Sequence, residues 1–104
     1  MEYDIILAPE AVVDLKSFKA SARTEIRDGI EKYLRHEPTK ASKSRIKKLR
    51  GLSRPQYRLR IGNEVRIFYD VSDKQVEVLA IVAKTNAEEW LNEHGESDEE
   101  NSSE

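Results

Sequence analysis

Three segments in the second half of the chain, rich in β-branched, aromatic and aliphatic residues, constrain the fold most. They span residues 56–61, 64–71 and 75–83, and only short polar turns separate them. Segments of this composition and length predict strands, and connections of two or three residues join antiparallel neighbours. The last half of the third segment is apolar at every position, which places that strand inside the sheet. The sequence therefore predicts an antiparallel three-stranded meander.

Helices are predicted on both sides of the meander. A short strand over 2–7 precedes a helix over 9–19, and a second helix begins near Ser21 and ends before Pro38. A last helix is predicted over 86–93, with Trp90 and Leu91 as its anchors. The short gap between the first two helices predicts an antiparallel helical hairpin. The predicted fold class is α+β, with a small antiparallel sheet, formed by the N-terminal strand and the meander, packed on the hairpin and followed by a short C-terminal helix.

The chain of 104 residues predicts one folded domain over 1–94 and an acidic, disordered tail over 95–104. Residues 39–54, between the hairpin and the meander, are expected to form a polar, basic loop. The chain has no cysteine, no long apolar run and no secretory signal pattern at its start. These features predict a cytoplasmic protein without membrane contact.

Charge is distributed unevenly along the chain. Residues 40–66 carry ten Lys or Arg and one acid, whereas residues 86–104 carry eight acids and no Lys or Arg. Without that acidic end, 18 basic residues face 12 acidic ones, a net charge of +6. A basic segment of this kind is expected of a protein that binds nucleic acid or an acidic partner, although charge alone is explained equally well by a solvated surface.

Arginines occupy alternate positions of the first predicted meander strand. Because residues i and i+2 of a strand share a face, Arg58 and Arg60 point together, and Arg66 follows on the next strand. Guanidinium groups on a rigid sheet suit phosphate, and they could stabilise the charge that develops when RNA is cleaved by its own 2′-hydroxyl. Arginine is a poor general base, so Lys84, at the end of the last strand, is the nearest candidate for proton transfer. The alternative is that these residues only bind phosphates or an acidic partner.

Other chemistries have little support in the sequence. Two histidines, His36 and His94, without cysteine make a metal site improbable, and neither histidine lies where a strand would position a catalytic base. Phosphate-binding glycine motifs are absent, so no cofactor is expected.

The pattern of residues across the basic segment resembles the RelE/ParE superfamily of bacterial toxins. It comprises Lys-Leu-Arg-Gly-Leu at 48–52, Pro55, Tyr-Arg-Leu-Arg-Ile-Gly at 57–62 and Val-Arg-Ile-Phe-Tyr at 65–69. The likeness extends from the first predicted strand to Trp90. The fold of that superfamily, a small antiparallel sheet with a helical hairpin, agrees with the fold predicted above.

In the RelE branch, members cut mRNA in the ribosomal A site with basic residues on two strands, a late arginine and a tyrosine after it. The resemblance assigns the paired basic positions to Arg58 and Arg60, the next strand's arginine to Arg66, and the late arginine's place to Lys84. No tyrosine follows the last motif, and Trp90 occupies that region.

The resemblance implies the toxin of a type II toxin–antitoxin pair, most simply a ribosome-dependent mRNA endonuclease that needs no metal. Its implied partners are a cognate antitoxin, the ribosome with mRNA, and operator DNA bound as a toxin–antitoxin complex. Six further basic residues would contact the RNA backbone: Lys43, Arg45, Lys47, Lys48, Arg50 and Arg54. The missing tyrosine leaves two alternatives open: a DNA gyrase inhibitor like ParE, or an inactive member that only binds its antitoxin.

Overall fold

The computed structural model describes residues 2–97. In chain order the elements are β1 (Asp4–Leu7), α1 (Pro9–Lys16), α2 (Ala20–Leu34), β2 (Ile46–Lys48), β3 (Leu52–Arg54), β4 (Tyr57–Ile61), β5 (Val65–Ser72), β6 (Gln75–Ala83), α3 (Lys84–His94) and β7 (Glu96–Ser97). The predicted α+β class is confirmed, with its helical hairpin, meander and C-terminal helix.

The main sheet has five strands in the order β1-β6-β5-β4-β2. Strands β4, β5 and β6 form the predicted antiparallel meander, and β2 adds to it antiparallel to β4. Strand β1 lies parallel to β6, which departs from the antiparallel arrangement expected for the N-terminal strand. The register of β5 against β6 shifts between Phe68 and Tyr69, and the carboxylate of Asp14 accepts the backbone N–H of Ile81 near that irregularity at 3.0 Å.

The prediction of a loop over 39–54 was wrong, because the segment contains β2 and β3. Ile46 is only 4% exposed and lies opposite Leu59 of β4, so burial of this side chain fixes β2 to the sheet. A strand of three residues is too short to show a repeating alternation in the sequence. The helix bounds also differ from prediction by two or three residues at the end of α1 and the start of α3.

The core lies between the sheet and the helices α1 and α2. Its buried residues are Ala11, Leu15, Ile26, Ile30, Leu34, Ile46, Leu59, Ile61, Val65, Ile67, Tyr69, Val76, Val78 and Ile81. Tyr69, which is fully buried, stacks on Tyr57 with ring centroids 5.5 Å apart and donates its hydroxyl hydrogen bond to the Pro38 carbonyl at 2.6 Å. One sheet face is thereby committed to the core. We call it the helix-covered face.

Gly29 permits close packing of α2 against β4. A Cβ atom at this position would overlap the side chain of Ile61, which is itself buried in the core. Glycine has a low helix propensity, but its lack of a side chain allows the hairpin to approach closely the strand that carries two of the arginines.

Helix α3 lies against part of the opposite sheet face. The ring of Trp90 stacks almost parallel on Phe68, with an interplanar angle of 4°. Trp90 and Leu91, the predicted anchors of this helix, are both half-buried. This face is shared between α3 and the side chains of Arg58, Arg60 and Arg66.

The first residues of the predicted tail pair with the basic segment. Strand β7 is antiparallel to β3, with Glu96 opposite Arg54 and Ser97 opposite Leu52. The rest of the predicted tail, 98–104, lies outside the described residues. None of the helices in residues 2–97 is both long enough and apolar enough to cross a membrane.

Candidate functional site

Strands β4 and β5 bring three arginines together on the face opposite the helix-covered face. Arg60 lies directly opposite Arg66 across the antiparallel pair of β4 and β5. Arg58, two residues earlier in β4, lies opposite Phe68. Side chains at directly opposed positions are neighbours, with Cβ atoms about 4.5–5.5 Å apart. On β2, Lys47 lies opposite Arg58 and extends the same row. We call the surface formed by these five residues the arginine face.

The turn between β4 and β5 holds two of these guanidinium groups. Arg60 donates from Nε to the Gly62 carbonyl at 3.0 Å and from Nη2 to the side-chain oxygen of Asn63. Arg66 donates from Nη1 to the carbonyls of Val65 and Asn63 at 3.0 and 3.3 Å, and it is only 7% exposed. These bonds use part of each donor set and fix the orientation of the rest, which is the pre-organisation that an anion site requires.

The guanidinium groups of the arginine face lack direct carboxylate partners in the part of the chain that the structure describes. Within residues 2–97, Arg58, Arg60 and Arg66 form no ion pair. Burial lowers the pKa of Arg58, and Arg66 and Arg60 lower it further. Burial also lowers the pKa of Arg66, with Arg60 adding to that effect and Glu64 opposing it. The Nε of Arg58 is buried and has no hydrogen-bond partner in the described part of the chain. A cluster of cations perturbed in this way is expected where an anion binds.

Lys84 lies at the end of β6, as the first residue of α3. Its backbone N–H donates to the Glu64 carbonyl at 2.7 Å, which ties this position to the β4–β5 turn. Val82, two residues earlier, lies opposite Arg66. Lys84 is therefore at the same end of the sheet as Arg60 and Arg66, with its side chain exposed.

The remaining predicted RNA contacts are divided between surfaces. Arg45 packs on the ring of Tyr33 in α2 at 4.8 Å, and Lys48 lies 5.3 Å from the ring of Tyr57. Both therefore belong to the helix-covered side, and of the lysine pair in β2 only Lys47 is on the arginine face. Two further residues of the set, Lys43 and Arg50, are exposed in the segments before and after β2.

Arg54 is engaged in a separate network at the other end of the sheet. Its guanidinium lies 3.6 Å from the carboxylates of both Asp70 and Glu77. Asp70 also accepts the backbone N–H of Gln56 at 2.8 Å. Burial raises the pKa of Asp70, and the Gln56 hydrogen bond and the Arg54 charge oppose that rise. The charge of Arg54 is thus already partnered within the fold.

A stack of three aromatic rings begins on the arginine face beside Arg58 and extends outward. Phe68, Trp90 and His94 form it in that order, with successive ring centroids 5.0 Å apart and interplanar angles of 4° and 29°. Sequence reasoning treated Trp90 as an anchor and gave His94 no role. The signal available was the four-residue spacing of Trp90 and His94, which places both side chains on one side of a helix.

Chemically, the arginine face can bind a phosphodiester and stabilise added negative charge on it. No group of three His, Asp or Glu side chains in residues 2–97 is arranged to hold a metal ion. The donors that the face offers are guanidinium groups, which are suited to paired hydrogen bonds with phosphate oxygens.

Comparisons with known proteins support the fold. No family model and no curated protein sequence matches the chain. Three similar solved structures are toxins or toxin complexes. The RelB–RelE antitoxin–toxin complex from Methanococcus jannaschii matches at 25% identity and a TM-score of 0.63, over 82% of this chain and 96% of that chain. The RelE–RelB complex from Pyrococcus horikoshii OT3 matches at 28% and 0.58, over 81% and 97%. A YoeB/ParE toxin from Agrobacterium tumefaciens matches at 21% and 0.61, over 77% and 97%.

Proposed function

We propose that this chain, which has the fold of the RelE/ParE toxins, is the toxin of a type II toxin–antitoxin pair and cleaves mRNA on the ribosome. The observation that carries the proposal is the arginine face, where three guanidinium groups lie together without a carboxylate partner in the described residues. An unbalanced cluster of this kind is costly for folding, and binding of a phosphodiester would compensate for that cost.

In the proposed reaction, Arg60 and Arg66 bind the non-bridging oxygens of the scissile phosphate. The ribose 2′-oxygen attacks the adjacent phosphorus and loses its proton, while the bond to the 5′-oxygen of the next nucleotide breaks and that oxygen gains a proton. The products are a 2′,3′-cyclic phosphate and a 5′-hydroxyl. Arg58, which stays protonated despite its lowered pKa, stabilises the extra negative charge of the transition state electrostatically.

Proton transfer is the step for which the arginine face offers the fewest suitable side chains. Lys84 is the proposed participant, because it lies at the same end of the sheet as Arg60 and Arg66 and is exposed to a bound substrate. Arginine is a poor general base, so the three guanidinium groups do not take over this step. We therefore propose that correct alignment of the 2′-hydroxyl is supplied by the ribosome, which makes cleavage dependent on translation in the cytoplasm.

Lys47 is proposed to bind the RNA backbone beside Arg58, with Lys43 and Arg50 at the margin of the same surface. Arg45 and Lys48, on the helix-covered side, are proposed to meet a different RNA strand such as rRNA. Arg54 is left out of the contact set because Asp70 and Glu77 already pair with it.

The proposed protein partner is an antitoxin. Two of the matched structures are named as complexes of a toxin with its antitoxin. An acidic segment of such a partner would neutralise the arginine face and displace RNA. Binding of operator DNA is proposed for the toxin–antitoxin complex only.

A second candidate is inhibition of DNA gyrase. It is favoured by the likeness to a toxin named YoeB/ParE and by the lack of a tyrosine after β5. In that case the arginine face would contact DNA or an acidic surface of gyrase, and no RNA would be cut.

The experiment is induction of the chain in cells, followed by primer extension on a translated message. Wild type should produce new 5′ ends within codons, and Arg60→Ala and Arg66→Ala should abolish them. Arg27→Ala, an exposed charge change on α2, is the matched control and should leave cleavage unchanged. Growth arrest with intact mRNA would instead support gyrase inhibition, and cleavage by folded Arg60→Ala and Arg66→Ala proteins would refute the proposed site.

A further inference from the structure

We propose that the aromatic stack of Phe68, Trp90 and His94 is a nucleobase-binding platform. The exposed face of His94 would receive a base of the same RNA whose phosphate the arginine face holds. This inference rests on the proposed RNA-cleaving function and adds to it the group that binds the base.

The stack is anchored where phosphate binding is proposed. Phe68 is fully buried and lies directly opposite Arg58 on the neighbouring strand. A nucleotide presents a charged phosphate and a flat base on either side of a ribose. A protein surface that binds both needs a cationic and an aromatic region side by side. The register of β4 against β5 places the buried end of the stack next to Arg58, and Trp90 and His94 continue the stack from there.

Exposure increases along the stack. Phe68 is inaccessible, Trp90 is half-buried, and 45% of the His94 side chain is exposed. Burial of apolar area explains why Trp90 packs on Phe68. It does not explain why a polar ring stacks on Trp90 at the surface and leaves an aromatic ring accessible to solvent. Flat accessible rings next to cations are the feature by which proteins bind bases of single-stranded RNA.

The charges on α3 favour a base over a phosphate at this place. The helix carries three exposed acids, Glu88, Glu89 and Glu93. Glu93 lies 3.9 Å from Nε2 of His94, and none of the three forms an ion pair with an arginine of the arginine face in the described residues. An acidic helix repels a phosphodiester, whereas it accepts a neutral base. The RNA backbone is therefore directed to the arginine face and the base to the stack, which fixes the orientation of the nucleotide.

The test uses Trp90, the only tryptophan of the chain, as an internal reporter of binding. Purified protein is titrated with short single-stranded oligoadenylate RNA and with a ribose-phosphate oligomer of equal length that lacks bases, at one fixed low salt concentration. Oligoadenylate should quench Trp90 emission and bind more tightly than the baseless oligomer, because base stacking adds to phosphate binding.

Three variants separate the two parts of the site. His94→Ala should weaken oligoadenylate binding about tenfold and leave the baseless oligomer unchanged, since one stacked base contributes on that scale. His94→Phe should retain wild-type affinity, because it keeps a flat ring. Asn92→Ala, at an exposed position of the same helix, is the control and should change neither affinity.

Arg60→Ala should weaken binding of both oligomers, which tests the proposed function separately from the platform. Equal affinity of His94→Ala and wild type for oligoadenylate, with Arg60→Ala still defective, overturns the platform and leaves the phosphate site intact. Unchanged binding by Arg60→Ala would overturn the phosphate site instead. A loss in His94→Phe as large as in His94→Ala would show that His94 acts through its ring nitrogens and would overturn stacking. Failure of wild type to bind oligoadenylate would also overturn the platform.

Discussion

Replacing Arg58 with methionine is expected to stabilise the protein while weakening phosphate binding. Arg58 has a buried Nε without a hydrogen-bond partner in residues 2–97, and Arg66 and Arg60 are its charged neighbours. Methionine has an unbranched side chain that can follow the path of the arginine stem. The substitution therefore removes a buried charge and an unsatisfied donor while it keeps the packing against the sheet.

The expected gain follows from these two effects. An unsatisfied buried donor costs about 1–3 kcal/mol, and like charges at neighbouring cross-strand positions cost roughly 0.2–1 kcal/mol. Arg58 is only partly buried, so values near the lower ends apply. We expect the free energy of unfolding to rise by about 1–2 kcal/mol, which raises Tm by roughly 4–16 °C for a domain of this size.

The assay is urea denaturation followed by Trp90 fluorescence, at low and at high sodium chloride. Salt should stabilise wild type by screening repulsion among the arginines, and it should stabilise Arg58→Met less. Lys47→Met is the matched control, because Lys47 lies opposite Arg58 on the same face but is exposed, and its effect should stay within about 0.5 kcal/mol. Arg58→Met proteins that are less stable than wild type, with an unchanged salt response, would refute the reasoning and make Arg58 a structural residue.

Three further predictions concern the core, the RNA contacts and the polar network. Tyr69→Phe should lower the free energy of unfolding in urea by about 1–3 kcal/mol, because a buried backbone carbonyl loses its donor, while Tyr57→Phe should change it by less than about 0.5 kcal/mol. In RNA titrations over a range of salt, Lys47→Ala should reduce the slope of log affinity against log salt by about 0.7, and Lys74→Ala, at an exposed position of the turn between β5 and β6, should not. Burial raises the pKa of Asp70 above 3.8, so the folded state binds its proton more tightly than the unfolded state does. Wild type should therefore lose stability relative to Asp70→Asn as pH rises from 3.8 through the raised pKa of Asp70. Urea denaturation of both proteins across that pH range measures this, and a constant difference in the free energy of unfolding would contradict it.

Much of the fold was accessible from the sequence because its long elements repeat a pattern. Strands β4, β5 and β6 and both helices of the hairpin have enough residues for alternation or helical spacing to be visible. The three-residue strands β2 and β3 do not, since their pairing depends on contacts distant in sequence. The parallel orientation of β1 likewise depends on where α1 and α2 return the chain, which local patterns do not record.

The site was predictable to the extent that it depends on alternation. Two arginines at i and i+2, with a third across a short turn, must share a face if the hairpin forms as predicted. The surroundings of that cluster were not predictable. Adjacent lysines, Lys47 and Lys48, differ in face only through the register of β2, and the ion pairs of Arg54 depend on β5 and β6. The approach of α3 to the arginine face depends on tertiary contacts, among them that of Trp90 with Phe68.

The distribution of ion pairs around the meander argues that the arginine face is a binding surface. Arg54, on β3 beside one end of the meander, is balanced by carboxylates on β5 and β6, so this fold does place acids beside a strand arginine. The three arginines of β4 and β5 have no such partner in the described residues, although directly opposed like charges such as Arg60 and Arg66 destabilise a sheet. On an ordinary solvated surface, a single acid opposite Arg60 would relieve this repulsion. An anionic ligand that supplies the missing charge explains why these arginines differ from Arg54.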